Sequence, residues 1–172
     1  LLRDGNDLWI GTADGLLKMD ADELFGNPSA SAEKIHGLPS DYVACCRRIG
    51  SDLWFGSYDW FYRMTPDGTI HKYKLPQMSY GHNNLVLDIA SDIRNTGIIW
   101  LGTEHGLVRY NIDGGERDFF LENVPVKYFF RYGSESLWIG TDNGLFIKDR
   151  TDSFRRFRHE AGNGNSLPDN VV

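Results

Sequence analysis

A phrase built on Trp, any residue, Gly, then Thr or Ser recurs four times in 172 residues, and no other feature constrains the chain as tightly. It reads "DLWIGTADGLL" from Asp7, "DLWFGSYDWFYRM" from Asp52, "IIWLGTEHGLVRY" from Ile98 and "SLWIGTDNGLFI" from Ser136. The tryptophans Trp9, Trp54, Trp100 and Trp138 stand 45, 46 and 38 residues apart, the spacing of a four-stranded propeller blade. A helical repeat is excluded by pattern. No copy sustains apolar residues at i, i+3, i+4 and i+7, while short β-branched and aromatic runs bounded by Gly, Asp, Asn and Pro recur throughout. The expected fold is all-β: a β-propeller of about four four-stranded antiparallel blades.

The second repeat shows the parse. Leu38 to Asp41 form a turn, and Tyr42 to Ile49, Leu53 to Ser57, Phe61 to Met64 and Ile70 to Tyr73 are successive strands, the last two joined by "PDG". The blades then cover about 1–37, 38–81, 82–123 and 124–165, with 166–172 starting another. Each repeat Trp is expected to bury a large apolar area against the adjacent blade. Gly11, Gly56, Gly102 and Gly140 lack a side chain where a neighbouring backbone would approach closely. Asp14-Gly15, His105-Gly106 and Asn143-Gly144 read as two-residue hairpin turns, a rule that the second repeat breaks with Asp59-Trp60. Both ends fall within a blade, since "LPSDYV" before the second repeat returns as "LPDNVV" at Leu167 to Val172. The chain is therefore expected to be a segment of a larger propeller.

LWIGT, a Gly-Leu pair two residues on, an aromatic strand and then "NSLPDNVV" resemble the two-component regulator propeller repeat, over essentially the whole chain. That resemblance implies a periplasmic, commonly seven-bladed propeller in a bacterial receptor, followed by a connector domain, a membrane helix and a histidine kinase or other output module. It also implies an oligosaccharide as ligand, and a homodimer as the arrangement through which binding is relayed. The sequence departs from the repeat at Trp60 and Phe61, where Gly-Leu is usual, and at Ile49, where Asp is usual.

Composition excludes several functions. A net charge of -6 lacks the basic face that nucleic acid requires. No apolar run approaches a membrane span of about 18 residues. Two adjacent cysteines, Cys45 and Cys46, form neither a disulfide framework nor a multi-cysteine metal site, and Cys46 reads as a small buried hydrophobe. No GxSxG, HExxH or phosphate-cradling glycine loop occurs, so no cofactor, metal or catalytic residue is expected in this segment.

The turn before a blade's first strand and the hairpin after its second share one face. That face collects Asp41, Tyr42, Tyr58, Asp59, Trp60, Tyr80, His82, Asn83, Glu104, His105, Asp142 and Asn143. Aromatic rings beside amides and carboxylates suit sugars, because a ring stacks on a pyranose while polar groups take its hydroxyls. Trp60, Tyr58, Asp59, His105, Glu104, Tyr80 and His82 are the ligand-binding candidates, although polar residues are also ordinary in turns. Two alternatives stay open: a propeller enzyme of lyase or lactonase type using His105, Glu104 and His82, and a non-catalytic interaction scaffold. Arg155, Arg156 and Arg158 lie in an outermost strand, where charges guard a sheet edge.

Overall fold

The computed structural model describes residues 1–27, 30–38, 42–75 and 84–172. They form two compact units, Leu1–Val86 and Leu87–Val172. Each is built from four-stranded antiparallel sheets in simple up-and-down order, the propeller-blade architecture that the repeat predicts.

In the first unit, β1 (Leu2–Asp4), β2 (Asp7–Thr12), β3 (Gly15–Asp20) and β4 (Glu33–Ile35) make one sheet. The next comprises β5 (Cys45–Ile49), β6 (Asp52–Gly56), β7 (Trp60–Met64) and β8 (Ile70–Lys74). A core of Trp9, Leu16, Val43, Cys46, Leu53, Phe55 and Tyr62 joins them. One short helix, α1 (Ala21–Gly26), interrupts the first sheet between β3 and β4 and was not anticipated from the repeat. Its signal is local. The Asp20 carboxylate accepts hydrogen bonds from the amides of Asp22 (2.8 Å) and Glu23 (3.1 Å), and acidic Asp22 and Glu23 occupy the first turn.

In the second unit, β9 (Val86–Ser91), β10 (Ile98–Thr103), β11 (Gly106–Asn111) and β12 (Arg117–Phe120) form one sheet. The last contains β13 (Val126–Tyr132), β14 (Ser136–Thr141), β15 (Gly144–Asp149) and β16 (Phe154–Phe157). Trp100, Leu107, Val126, Phe129, Leu137, Ile139 and Phe146 make the core between them. The buried Asp88 carboxylate on β9 accepts the Phe129 amide of β13 at 2.7 Å, so the two first strands are tied by a charge-assisted bond.

The repeat glycines sit where the sequence requires close approach. A Cβ on Gly11 would lie 2.5 Å from the Val43 carbonyl oxygen, one on Gly102 2.7 Å from that of Val126, and one on Gly140 2.9 Å from that of Val172. On Gly56 it would meet Val86 at 2.6 Å. Each glycine thus admits a valine from later in the chain, which opens a first strand at Val86 and Val126 and lies two residues before one at Val43, and any side chain there would run into it.

The hairpins differ from expectation by one residue. Thr12 pairs with Gly15, Thr103 with Gly106 and Thr141 with Gly144, so the turns are Ala13-Asp14, Glu104-His105 and Asp142-Asn143. The glycine opens the returning strand instead. The repeat threonine explains the geometry: its hydroxyl accepts the amide two residues on and donates to the glycine carbonyl, at 3.2 and 2.9 Å for Thr103. Ser57 holds this position in the second repeat, buried, with its hydroxyl unpartnered among the described residues.

Cys45 and Cys46 are buried thiols on successive positions of β5, so their side chains leave opposite faces of the strand. Cys45 approaches the Val86 carbonyl at 3.6 Å, whereas Cys46 lies in the core with Trp9, as a small hydrophobe would. Burial pushes the Cys46 thiol up to about 11.

Candidate functional site

The broken second repeat builds the most elaborated turn of the first unit. Asp59 adopts φ +57°, so the positive φ that falls on Gly15, Gly106 and Gly144 in the other repeats falls one residue earlier here and leaves the glycine position to Trp60. Three bonds hold Asp59. Its amide donates to the Asn84 carbonyl (2.9 Å), its carboxylate accepts the Asn84 amide (2.8 Å), and its carbonyl accepts the Leu75 amide (2.8 Å). Tyr58 forms an isolated antiparallel bridge with Leu85.

This anchoring presents aromatic surface. The rings of Tyr42 and Tyr58, both half-buried, sit 5.1 Å apart with planes inclined by 43°. Trp60 packs against the core shared by the two sheets of its unit and is also half-buried. Lys74, its cross-strand partner, places Nζ 5.7 Å from the indole centroid. Trp60 therefore does two jobs. It fills the seam, and it leaves part of its surface beside Lys74.

In the second unit, Glu104 and His105 form the β10–β11 turn, both half-buried, with the His105 carbonyl accepting the Asn123 amide at 3.0 Å. Asp142 and Asn143 form the β14–β15 turn, where Lys127 pairs with Asp142. Arg156, expected to guard a sheet edge, reaches this turn: its Nε donates to the Asn143 backbone carbonyl at 2.8 Å and a second nitrogen donates to the Asn143 side-chain amide oxygen. Burial, with the nearby Arg158 charge, pushes the Arg156 guanidinium below its ordinary value.

The structure thus brings Tyr58, Asp59 and Trp60 together in one turn, and Glu104 and His105 together in another. Tyr80 and His82, like Asp41 and Asn83, lie outside the described residues. Sequence reasoning placed Tyr42 on this face without singling it out, and it missed Lys74. The register of Trp60 against Lys74 is the signal that identifies the latter. Among the described residues no group of three or more His, Cys, Asp or Glu side chains is placed to hold a metal ion. No helix among them is long and apolar enough to cross a membrane.

No protein-family profile matches the chain, and no curated protein matches it. Solved structures do. The chain is similar to the extracellular domain of BT4673, assigned to a hybrid two-component system of B. thetaiotaomicron, at 25% identity and a TM-score of 0.79. It is similar also to that of BT3049, assigned to a hybrid two-component system of the same organism, at 22% identity and a TM-score of 0.69. These comparisons cover 99% and 97% of the chain, but only 23% and 22% of the two ectodomains. The virginiamycin B lyase of Staphylococcus aureus shares the fold at 16% identity and a TM-score of 0.66, over 94% of this chain and 55% of that one. The chain is accordingly an all-β set of propeller blades, and it spans about a quarter of the length of the sensor ectodomains that it resembles.

Proposed function

We propose that this chain is part of the extracytoplasmic ligand-sensing propeller of a bacterial two-component receptor, which recognises an oligosaccharide and relays the signal to a kinase module elsewhere in the protein. The observation that carries the reading is the similarity to the BT4673 ectodomain across 99% of the chain. The anchored Tyr42–Tyr58 pair supports the ligand class. It offers two inclined, half-buried rings, which suit the apolar face of a sugar.

A larger propeller follows from the same reading, and the second unit has a face for further blades to cover. Tyr128, Phe130 and Tyr132 on β13 are 53%, 53% and 63% exposed, and Phe130 and Tyr132 flank Trp138 at 6.4 and 5.9 Å. Relay requires that ligand bind two arrangements of the receptor unequally, for which paired propellers in a homodimer supply the two states.

The test is titration calorimetry of the complete ectodomain with oligosaccharides from plant and host glycans. Tyr58→Ala should weaken binding about tenfold, the equivalent of about 1.4 kcal/mol, with the melting temperature held. An affinity unchanged by Tyr58→Ala, or turnover of the bound sugar, would overturn the reading.

A further inference from the structure

The two units are built to one plan, yet their seams are filled differently. In the second unit Trp100, Phe120 and Phe154 make a closed aromatic triad, with centroids 5.5 to 6.1 Å apart. Lys148, fully buried, lies over the Trp100 ring, and the Asp92 carboxylate accepts the Trp100 indole N–H at 2.8 Å.

Register gives the matching positions in the first unit. Trp9 stands for Trp100. Ile35 stands for Phe120, since Leu16 pairs with Ile35 as Leu107 pairs with Phe120. Met64 stands for Lys148, since Leu53 pairs with Met64 as Leu137 pairs with Lys148, and Ile70 then stands for Phe154. Around the retained tryptophan, Phe120, Lys148 and Phe154 are each replaced by a residue that is smaller or uncharged. Asp4, in the place of Asp92, turns away to pair with Arg48. Trp9, 6% exposed, keeps an indole N–H that meets no acceptor among the described residues.

A groove of about 710 Å³ opens where the plug is missing, within the about 300–1,000 Å³ of ordinary small-molecule sites. Trp9, Ile35, Leu53, Met64 and Ile70 give it apolar walls. Its rim carries two ion pairs, Lys18 with Asp7 at 3.0 Å and Arg48 with Asp4, together with Glu33 and His36.

We propose that this groove binds a neutral saccharide, at a site separate from the Tyr42–Tyr58 surface. The rim decides the ligand's charge. Both pairs are a quarter to two-fifths exposed, and a charged ligand that meets either one competes with the counter-ion already there and gains little from the exchange. A hydroxyl donates to a carboxylate and accepts from an ammonium or guanidinium at once, so it settles beside an intact pair. The apolar walls meet the C–H faces of the sugar ring. A hydroxyl, or a water carried beneath it, that reaches Trp9 supplies the acceptor that Asp92 supplies to Trp100.

The test reads the five tryptophan indole N–H resonances of the ¹⁵N-labelled full chain, with that of Trp9 assigned by Trp9→Phe. Cellobiose, maltose and mannobiose are titrated, with glucuronate and glucosamine as charged counterparts. At least one neutral disaccharide should shift the Trp9 resonance and saturate in the millimolar range. Met64→Lys with Ile70→Phe, which rebuilds the plug of the other seam, should weaken that binding at least about tenfold, and Tyr58→Ala should leave it unchanged. Ile35→Phe serves as the filling variant if the double variant loses its dispersed spectrum. No shift with any of the three at about 50 mM, a response to the charged sugars alone, or undiminished affinity in a filled variant would overturn the proposal. So would loss of binding in Tyr58→Ala, which would place the sugar on the turn surface.

Discussion

Replacing Lys148 with Met tests how the seam of the second unit is held. Lys148 has no exposed surface, and its Nζ lies 2.7 Å from Asp152, 3.4 Å from Asp92 and 3.2 Å from the Asp149 carbonyl. Removing one partner of a buried pair costs about 3–5 kcal/mol when the other charge is left uncompensated. Asp92 is not stripped bare by this change. It keeps the Trp100 indole at 2.8 Å and the amides of Arg94 and Asn95 at 2.9 and 3.2 Å, while the half-exposed Asp152 keeps Arg94 at 2.8 Å. The loss should therefore fall below that range, at about 2–3 kcal/mol, or about 4–12 °C in melting temperature for a chain of this size. The assay is urea unfolding followed by tryptophan fluorescence. In a double-mutant cycle, adding Asp92→Asn should cost less in the Lys148→Met background than alone, because the carboxylate whose counter-ion is gone is then neutral, and Asn can still accept the indole N–H. An unchanged midpoint for Lys148→Met, or strictly additive losses across the cycle, would refute the argument that this charge pair locks the seam.

The same seam carries a pH dependence. Burial raises the Asp92 carboxyl, but hydrogen bonds from the Trp100 indole and the Arg94 and Asn95 amides, with the Lys148 charge, outweigh it and hold Asp92 below the usual carboxylate range. A depressed folded-state value contributes stability above the unfolded value of about 3.9, and that contribution is lost as pH falls through the folded one. Asp92→Asn should flatten the acid limb of stability measured below about pH 4, and an unaltered limb would contradict the assignment. Gly144 tests the turn design. It sits at φ +100°, and a Cβ there would run into the Phe157 carbonyl, so Gly144→Ala should cost more than about 1 kcal/mol by chemical denaturation. Gly164→Ala, with open space around it, should cost less than about 0.5 kcal/mol in the same experiment.

The four WxG phrases carried the architecture because their information is local and repeated. Trp and Gly recur in all four phrases and Thr ties the turn in three of them, with Ser57 in the remaining one, so the period of the sheet is written in the period of the residues. Asp20 followed by Asp22 and Glu23 was legible as a helix start only on its own, since the repeat has no counterpart for it. The chemistry of the turns was legible as a set of residue types on one face. Which of them meet was not, because the Tyr42–Tyr58 pair depends on the backbone bonds that Asp59 makes to Asn84 and Leu75, remote in sequence. The difference between the two seams lies further still from local pattern. Ile35, Met64 and Ile70 are unremarkable strand residues when read in line, and only the register that sets them around Trp9 turns three ordinary side chains into an open groove. Local sequence fixes which face of a strand a side chain takes, while pairing between distant segments decides what stands opposite it, and cavities are made by what stands opposite.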